Sequence, residues 1–329
     1  MKITPMEILF KMFDDTASIL QEELSCTYLE ALIETGENLF HDKIQQDSLN
    51  DIAKQRLQRK YADISLSSFS NEDIRKSYQL AILKGMKGHT QANHQMTPDS
   101  IGIIISYLTS KFLGERSSLT IMDPAVGTGN LLSTIINTFN DRMDVQAFGV
   151  EVDELLIKLA YVGANLLQQQ TEFFHQDALE SLFIDPVDLV VADLPVGYYP
   201  NDIQAAKYKL HRTNGHAYAH HLFIEQSIKH SKEGGYLFFL IPNGLFESEE
   251  APKLHEYLKD TVYIQGILQL PLTIFKNQNA AKSILILQKQ KPGLEPPKEV
   301  LLASVPKLTN KVAMDKMMAG IEKWFMENK

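Results

Sequence analysis

Cysteine is almost missing from this chain. The 329 residues include one, Cys26, which excludes an internal disulfide and any cysteine-cluster metal site and suits a reducing compartment. Long apolar runs are missing as well: the longest, residues 101–108 and 236–242, fall far short of a membrane span. Asp14 and Asp15 interrupt the stretch where a signal peptide would be apolar, so the expectation is a cytoplasmic protein with no membrane association. Positive charge is in deficit, with 32 Lys and Arg against 41 Asp and Glu and a net charge of −9. That balance excludes a surface that grips nucleic acid everywhere, since phosphate contacts need clustered cations; a local basic groove remains compatible with it.

What is present divides the chain into three parts. Residues 1–93 are rich in charged and amide side chains, with apolar positions at helical spacing (Ile8, Leu9, Met12, Phe13; Tyr28, Leu29, Leu32, Ile33), and read as a small helical domain. Its end, KGMKGHTQANHQ at 84–95, is polar, basic and punctuated by glycine, as a hinge loop would be. Thr97 and Pro98 then read as the cap and first turn of a helix using Ile101, Ile104, Ile105 and Leu108. From there to residue 291 short apolar runs (119–123, 145–151, 171–177, 187–193, 236–242, 262–270, 283–288) alternate with helical stretches, the pattern of a parallel sheet covered by helices on both faces. Residues 292–329 follow a proline-rich break; 300–306 read as an edge strand, and Val312, Met317, Ile321, Trp324 and Phe325 as the apolar face of a final helix packed on the sheet.

The organising stretch is IMDPAVGTGNLL at 121–132: a strand ending at Asp123, a turn with Gly127 and Gly129, and the start of a helix. Such a turn lets a ligand lie against backbone N–H groups at a positive helix end. Four strand runs end in a carboxylate, at Asp123, Glu151, Asp177 and Asp193, and in an open parallel sheet these converge on the carboxyl-end rim where ligands bind. Glu151, about twenty residues past the glycines, is spaced to accept hydrogen bonds from a ribose diol. The third glycine of a dinucleotide fingerprint is missing, because position 132 is Leu132, and so is the lysine of a phosphate loop, because Gly129 and Asn130 follow Thr128. S-adenosyl-L-methionine, a nucleoside without phosphate, fits better than a nicotinamide or a nucleoside triphosphate.

These residues resemble a known family. DPAVGTGNLL (123–132) is similar to the DPACGTGNFL signature of the adenine-N6 DNA methyltransferases of type I restriction-modification systems, with Val126 where cysteine is common. HQMTP (94–98) resembles the family's upstream F-x-TP block, residues 149–166 its second-strand block and HQDAL (175–179) its third. Residues 220–246 resemble the region behind the active site, and 267–289 the closing hairpin. The match covers roughly 93–289, and the chain also resembles the short stand-alone class I methyltransferases of Gram-positive bacteria. The resemblance implies a Rossmann-like class I methyltransferase sheet, α/β and mostly parallel, with seven strands and an antiparallel closing hairpin. It also implies S-adenosyl-L-methionine as cofactor. Gly127 and Gly129, beside Asp123, would line its methionine and ribose; Glu151 would take the ribose hydroxyls; Asp177 would face the adenine amine; Thr97 would bind the methionine end. Ala125, Thr128, Asn130, Val152, Ala178 and Asp193 complete the implied cofactor-binding set.

The family's catalytic block is N/D-P-P-Y/F: acceptors hold both hydrogens of the target amine and an aromatic ring stacks on the flipped base. Here the strand reads VDLVVADLPVGYYP (187–200). Asp193 keeps the acceptor and Pro195 one proline, but Leu194 replaces the other and Val196 stands where the ring belongs, with Tyr198 and Tyr199 two and three residues late. A missing stacking ring is worth on the order of 1–3 kcal/mol. Three readings stay open: Asp193, Pro195 and Tyr198 or Tyr199 rebuild the catalytic site; the site serves another nitrogen acceptor, in RNA or a protein amide; or a non-catalytic module keeps S-adenosyl-L-methionine or DNA binding alone. Residues 207–221 carry three cations and four histidines, readable as a phosphate-tracking loop or as solvated loop with histidines capping the next helix, and no metal site is expected. No separate target-recognition domain is recognisable, which implies a protein partner for target choice. The leading expectation is an S-adenosylmethionine-dependent N-methyltransferase of the DNA adenine-N6 type.

Overall fold

The computed structural model describes residues 3–88, 96–140, 142–275 and 277–329. Of the expected hinge loop at 84–95, residues 84–88 instead continue a helix (Asn71–Gly88), and the rest falls outside the described residues, as does the boundary drawn at 93/94. Four helices come first: α1 (Pro5–Leu24), α2 (Tyr28–Phe40), α3 (Asp51–Ala62) and α4 (Asn71–Gly88). Thr4 with Glu7 and Thr27 with Glu30 form reciprocal capping boxes that start α1 and α2.

The apolar faces of these helices (Leu9, Phe13, Leu20, Leu32 and Leu57 among them) close into one core that also takes Leu159, Val162 and Leu166 from α7 (Glu154–Leu166). Gly36 lets α2 come this close, because a Cβ there would lie 2.2 Å from Val162 Cγ1. The helical region is thus seated on the α/β part through a shared apolar core.

In the α/β part α5 (Asp99–Leu113) precedes β1 (Ser118–Asp123), α6 (Asn130–Phe139), β2 (Asp144–Glu151), α7, β3 (Thr171–His175) and β4 (Val187–Asp193). Then come α8 (Asp202–Ala205), α9 (Ala219–Lys229), β5 (Ser231–Pro242), α10 (Ala251–Thr261), β6 (Val262–Gln269), β7 (Lys282–Lys289), β8 (Leu301–Ser304) and α11 (Lys311–Asn328). The eight strands form one sheet in the order β3-β2-β1-β4-β5-β7-β6-β8. Among them β7 alone runs against the rest, pairing antiparallel with both β5 and β6. The eighth strand is the expected C-terminal edge, which lies parallel to β6. One core fills the face under α5, α6 and α11, the other the face under α9 and α10.

Chain order reverses between β1 and β4, which puts the ligand crevice outside their carboxyl ends. No described helix is long and apolar enough to cross a membrane.

Three local expectations change. Helix α5 starts at Asp99 with Pro98 at its N-cap and no side-chain cap bond, so Thr97 is not a cap and its hydroxyl is free for other work. Strand β3 ends at His175, leaving Asp177 two residues beyond it, where its carboxylate accepts the N–H of Leu179 at 2.9 Å. On α11, Ile321 and Trp324 are buried as expected, but Val312 is exposed because it lies in the first turn, outside the packed face.

Candidate functional site

The glycine turn follows β1 directly. Gly127 and Gly129 take φ of 54° and 77°, the left-handed region that favours glycine. A Cβ on Gly127 would meet nothing within 4 Å, so its outer face is open to a ligand; one on Gly129 would press on Ala160 Cβ at 3.1 Å. Gly129 caps α6, and Asn130 opens that helix with its N–H groups facing the crevice end of the sheet.

Two of the four carboxylates of the sequence pattern, Asp123 and Glu151, bond backbone of this turn, and each of the four is held differently. Glu151 accepts three backbone N–H groups, from Gly127 at 2.9 Å, Val152 at 2.9 Å and Asp153 at 3.0 Å, which fixes its plane beside the turn. Asp123 is 1% exposed and accepts the Ala125 N–H at 3.0 Å. Burial pushes its carboxyl well above the usual range, and the neighbouring charges of Asp193 and Glu151 push the same way. Asp177 accepts the Tyr199 hydroxyl at 2.5 Å in addition to Leu179 N–H. Asp193 is gripped on both oxygens: Thr97 Oγ1 donates to Oδ2 at 2.9 Å, and Lys282 Nζ forms an ion pair with Oδ1.

A nucleoside carrying positive charge fits this donor set. Glu151 is pre-oriented for a diol, the Gly127 face is bare, and Asp123 is a buried carboxylate whose ionised form a cationic ligand would relieve. Thr128 is half-buried in the turn, Val152 is exposed next to Glu151, and Ala178 is buried with its carbonyl held by Gln226 Nε2 at 2.8 Å. Asn130 is buried and donates to the Thr97 carbonyl at 2.9 Å, so its side chain braces the turn against the upstream block.

Beyond Asp193 the chain separates its two tyrosines. Leu194 is buried, Pro195 half-buried and Val196 exposed. Tyr199 is buried with its hydroxyl on Asp177, which points it away from the exposed Tyr198. Tyr198 is 58% exposed and stacks on Tyr218, with ring centroids 5.1 Å apart and planes 17° off parallel.

The stack continues from Tyr218 to His220 at 5.3 Å, and His221 meets His220 edge-on at 4.9 Å. Neither histidine caps a helix or lies in solvated loop: Tyr218 holds the N-cap position of α9, and both imidazoles are buried in its first turn because that turn packs under the sheet. Burial pushes His220 down to about 3, aided by the charges of His221 and Lys282, and His221 down to about 4. His220 Nδ1 and His221 Nε2 have no hydrogen-bond partner among the described residues.

The cations of the basic loop are occupied by partners outside it. Arg212 reaches Glu249 at 2.6 Å and Glu250 at 3.4 Å, and Lys209 lies over the Tyr257 ring at 5.9 Å. Phosphate tracking by this loop would require breaking those pairs.

Spacing in the sequence carried no sign of Lys282 or of the burial of the two histidines. Lys282 comes from the start of β7, opposite Pro242 at the end of β5, and only the sheet order brings it to Asp193.

Comparison with known proteins matches the chain to two families. Residues 7–86 match the family described as YtxK N-terminal helical domain, and residues 85–325 the family described as N-6 DNA Methylase. The chain is 49% identical over 321 residues to YtxK of Bacillus subtilis (strain 168), covering 97% of each chain. It is 50% identical to a Listeria monocytogenes protein of solved structure put forward as a class I S-adenosylmethionine-dependent methyltransferase, with a TM-score of 0.91 over 98% of this chain and 99% of that one. The methyltransferase subunit of a type I restriction-modification system from Streptococcus thermophilus shares the fold at 16% identity, with a TM-score of 0.67 over 98% of this chain and 74% of that one.

Proposed function

Because this chain belongs to the N-6 DNA Methylase family, we propose that it is an S-adenosyl-L-methionine-dependent methyltransferase whose acceptor is the exocyclic amine of adenine in DNA. Asp193 carries the reading: a carboxylate at the end of β4, beside the cofactor-type turn and anchored on both oxygens by Thr97 and Lys282. An ionised carboxylate has about four acceptor positions. Two remain after Thr97 and Lys282 bind, enough to hold an amine with its lone pair directed at the crevice. Lys282 balances the charge of Asp193, so the site does not bury a lone carboxylate when an acceptor covers it.

S-adenosyl-L-methionine supplies an electrophilic sulfonium methyl when bound. The chain's own residues position and desolvate. Glu151 would hold the ribose hydroxyls, Asp177 with Tyr199 the adenine end, and the turn from Ala125 to Asn130 the methionine end. Asp193 would stabilise the positive charge that the acceptor nitrogen takes on as its lone pair displaces the neutral thioether from the methyl group, and one N–H proton would then pass to water. Tyr198, exposed and backed by Tyr218, would provide the stacking surface that Val196 lacks. Target choice would fall to a protein partner.

The test is transfer of labelled methyl from S-adenosyl-L-methionine to DNA, with digestion to nucleosides. Label in N6-methyladenine that disappears in Asp193→Ala supports the reading; label only in RNA or protein moves the acceptor. A second reading, cofactor binding without transfer, draws support from exposed Val196. It predicts saturable cofactor binding with no labelled product, and activity created by restoring the family block with Asp193→Asn, Leu194→Pro and Val196→Tyr.

A further inference from the structure

A chain of polar contacts runs from the helical region into the site. Arg75 of α4 is 4% exposed, and its guanidinium joins the starts of three helices. It bonds Glu72 in its own first turn at 2.8 Å, pairs with Asp99, the first residue of α5, at 2.5 Å, and donates from Nη1 to Asn130 Oδ1, the first residue of α6, at 2.9 Å. Asn130 passes the constraint on, donating from Nδ2 to the Thr97 carbonyl at 2.9 Å, and Thr97 Oγ1 donates to Asp193. Arg75 to Asn130 to Thr97 to Asp193 is thus continuous.

The placement is poor for stability alone. A cation at the N-terminal ends of α5 and α6 opposes their dipoles, and the carboxylates of Glu72 and Asp99 are needed to offset that. What the guanidinium provides is a rigid planar fork with several donors at fixed angles, which sets Asn130 in one rotamer. Asn130 then determines both the first turn of α6 and the backbone of the Thr97 block.

We propose that Arg75 is a positioning residue: through Asn130 and Thr97 it fixes the glycine turn and the Asp193 carboxylate in one geometry, which makes the helical region a working part of the site. The inference rests on the proposed function only for its ligand readout. Amide hydrogen exchange on unliganded protein tests it without any cofactor. Arg75→Met keeps the apolar stem and removes the fork, and should speed exchange in residues 96–99, 125–132 and 193–199. Titration with S-adenosyl-L-methionine should show affinity falling about tenfold, and Arg75→Lys, which can reach fewer acceptors, should recover part of both effects.

Asn130→Asp keeps the acceptor for Arg75 but loses the donor to Thr97. It should speed exchange at 96–99 and 193–199 while α4 stays at the wild-type rate, a result that loss of docking could not give. Wild-type rates in those site segments for Arg75→Met and Asn130→Asp, with any change confined to α4 and its contacts with α1 and α7, would overturn the proposal. If Arg75→Met does not fold, Arg75→Lys and Asn130→Asp decide. A wild type that binds no S-adenosyl-L-methionine sinks the proposed function, and the exchange rates still settle the role of Arg75.

Discussion

The two halves of the carboxylate rim are built by different means. On the half proposed to hold the cofactor, Glu151 and Asp123 are held by backbone N–H groups: Glu151 by Gly127, Val152 and Asp153, Asp123 by Ala125. On the half proposed to face the acceptor, Asp193 is held by side chains from far along the chain, Thr97 and Lys282, and the ring of nearby Tyr198 rests on another ring, Tyr218. Backbone donors come with the turn itself and survive most side-chain changes, whereas side-chain partners can be exchanged one at a time. On the proposed function, the half that would hold an invariant cofactor is the one whose sequence resembles the family signature, and the half that would face the acceptor is the one that departs from the family's catalytic block.

Crossed substitutions put that difference to work. Asp193→Ala should lower kcat/KM for methyl transfer by at least about a hundredfold, as loss of acceptor alignment does, while cofactor affinity by calorimetry changes little. Glu151→Ala should do the reverse, weakening S-adenosyl-L-methionine binding by roughly ten- to a hundredfold, on the order of 1.5–3 kcal/mol for hydrogen bonds to a charged group. Equal effects of both variants on binding would dissolve the two-half description. The tyrosines sharpen it further. Tyr198→Ala should raise KM for the nucleic acid by an amount equivalent to about 1–3 kcal/mol of lost stacking, with Tyr198→Phe near wild type. Tyr199→Phe should instead weaken cofactor binding a few-fold, since its hydroxyl serves Asp177.

What could be read from the sequence follows the same line. The strands and the glycine turn are local patterns, set by alternation, by the φ demands of Gly127 and Gly129, and by spacing, and the structure has them close to where reading placed them; Asp123, Glu151 and Asp193 end their strands, while Asp177 lies two residues past the end of β3. Partners set by tertiary packing left no local trace. Thr97 before Pro98 has the signature of a cap, yet its hydroxyl belongs to Asp193, 96 residues away. Lys282 comes to the site from 89 residues away, by way of an antiparallel strand inserted into the sheet. Tyr198 and Tyr199 are neighbours with the same side chain, and only the strand-like bridge between Tyr198 and Tyr218 decides which one turns inward. The paired histidines are polar in sequence and buried in fact, because the first turn of α9 is covered.

Those histidines and Asp123 give the comparison its last test, in the pH dependence of stability. His220 and His221 are driven down from the usual 6.5 to about 3 and about 4, so the folded protein keeps them neutral where the unfolded chain takes up protons. Their contribution is complete above pH 6.5 and is lost as pH falls below it toward the folded values, on the order of 1 kcal/mol per histidine for each pH unit. Asp123 acts in the opposite sense. Its carboxyl is raised above 3.8, so the folded state holds the proton more tightly than the unfolded chain does. That contribution is complete below pH 3.8 and is lost as pH rises through the folded value. Denaturant melts across pH 4 to 8 should then respond separately to substitution. His220→Gln should flatten the fall in stability below pH 6.5, and Asp123→Asn should remove the loss on the rising side. Because a cationic ligand favours ionised Asp123, cofactor binding to wild type should also release protons that Asp123→Asn does not, detectable as a buffer-dependent heat in calorimetry. A histidine substitution should leave that heat unchanged, since the imidazoles belong to the acceptor half. Proton release that persists in Asp123→Asn would mean that another carboxylate of the rim meets the charge, and that the division of labour between the halves lies elsewhere.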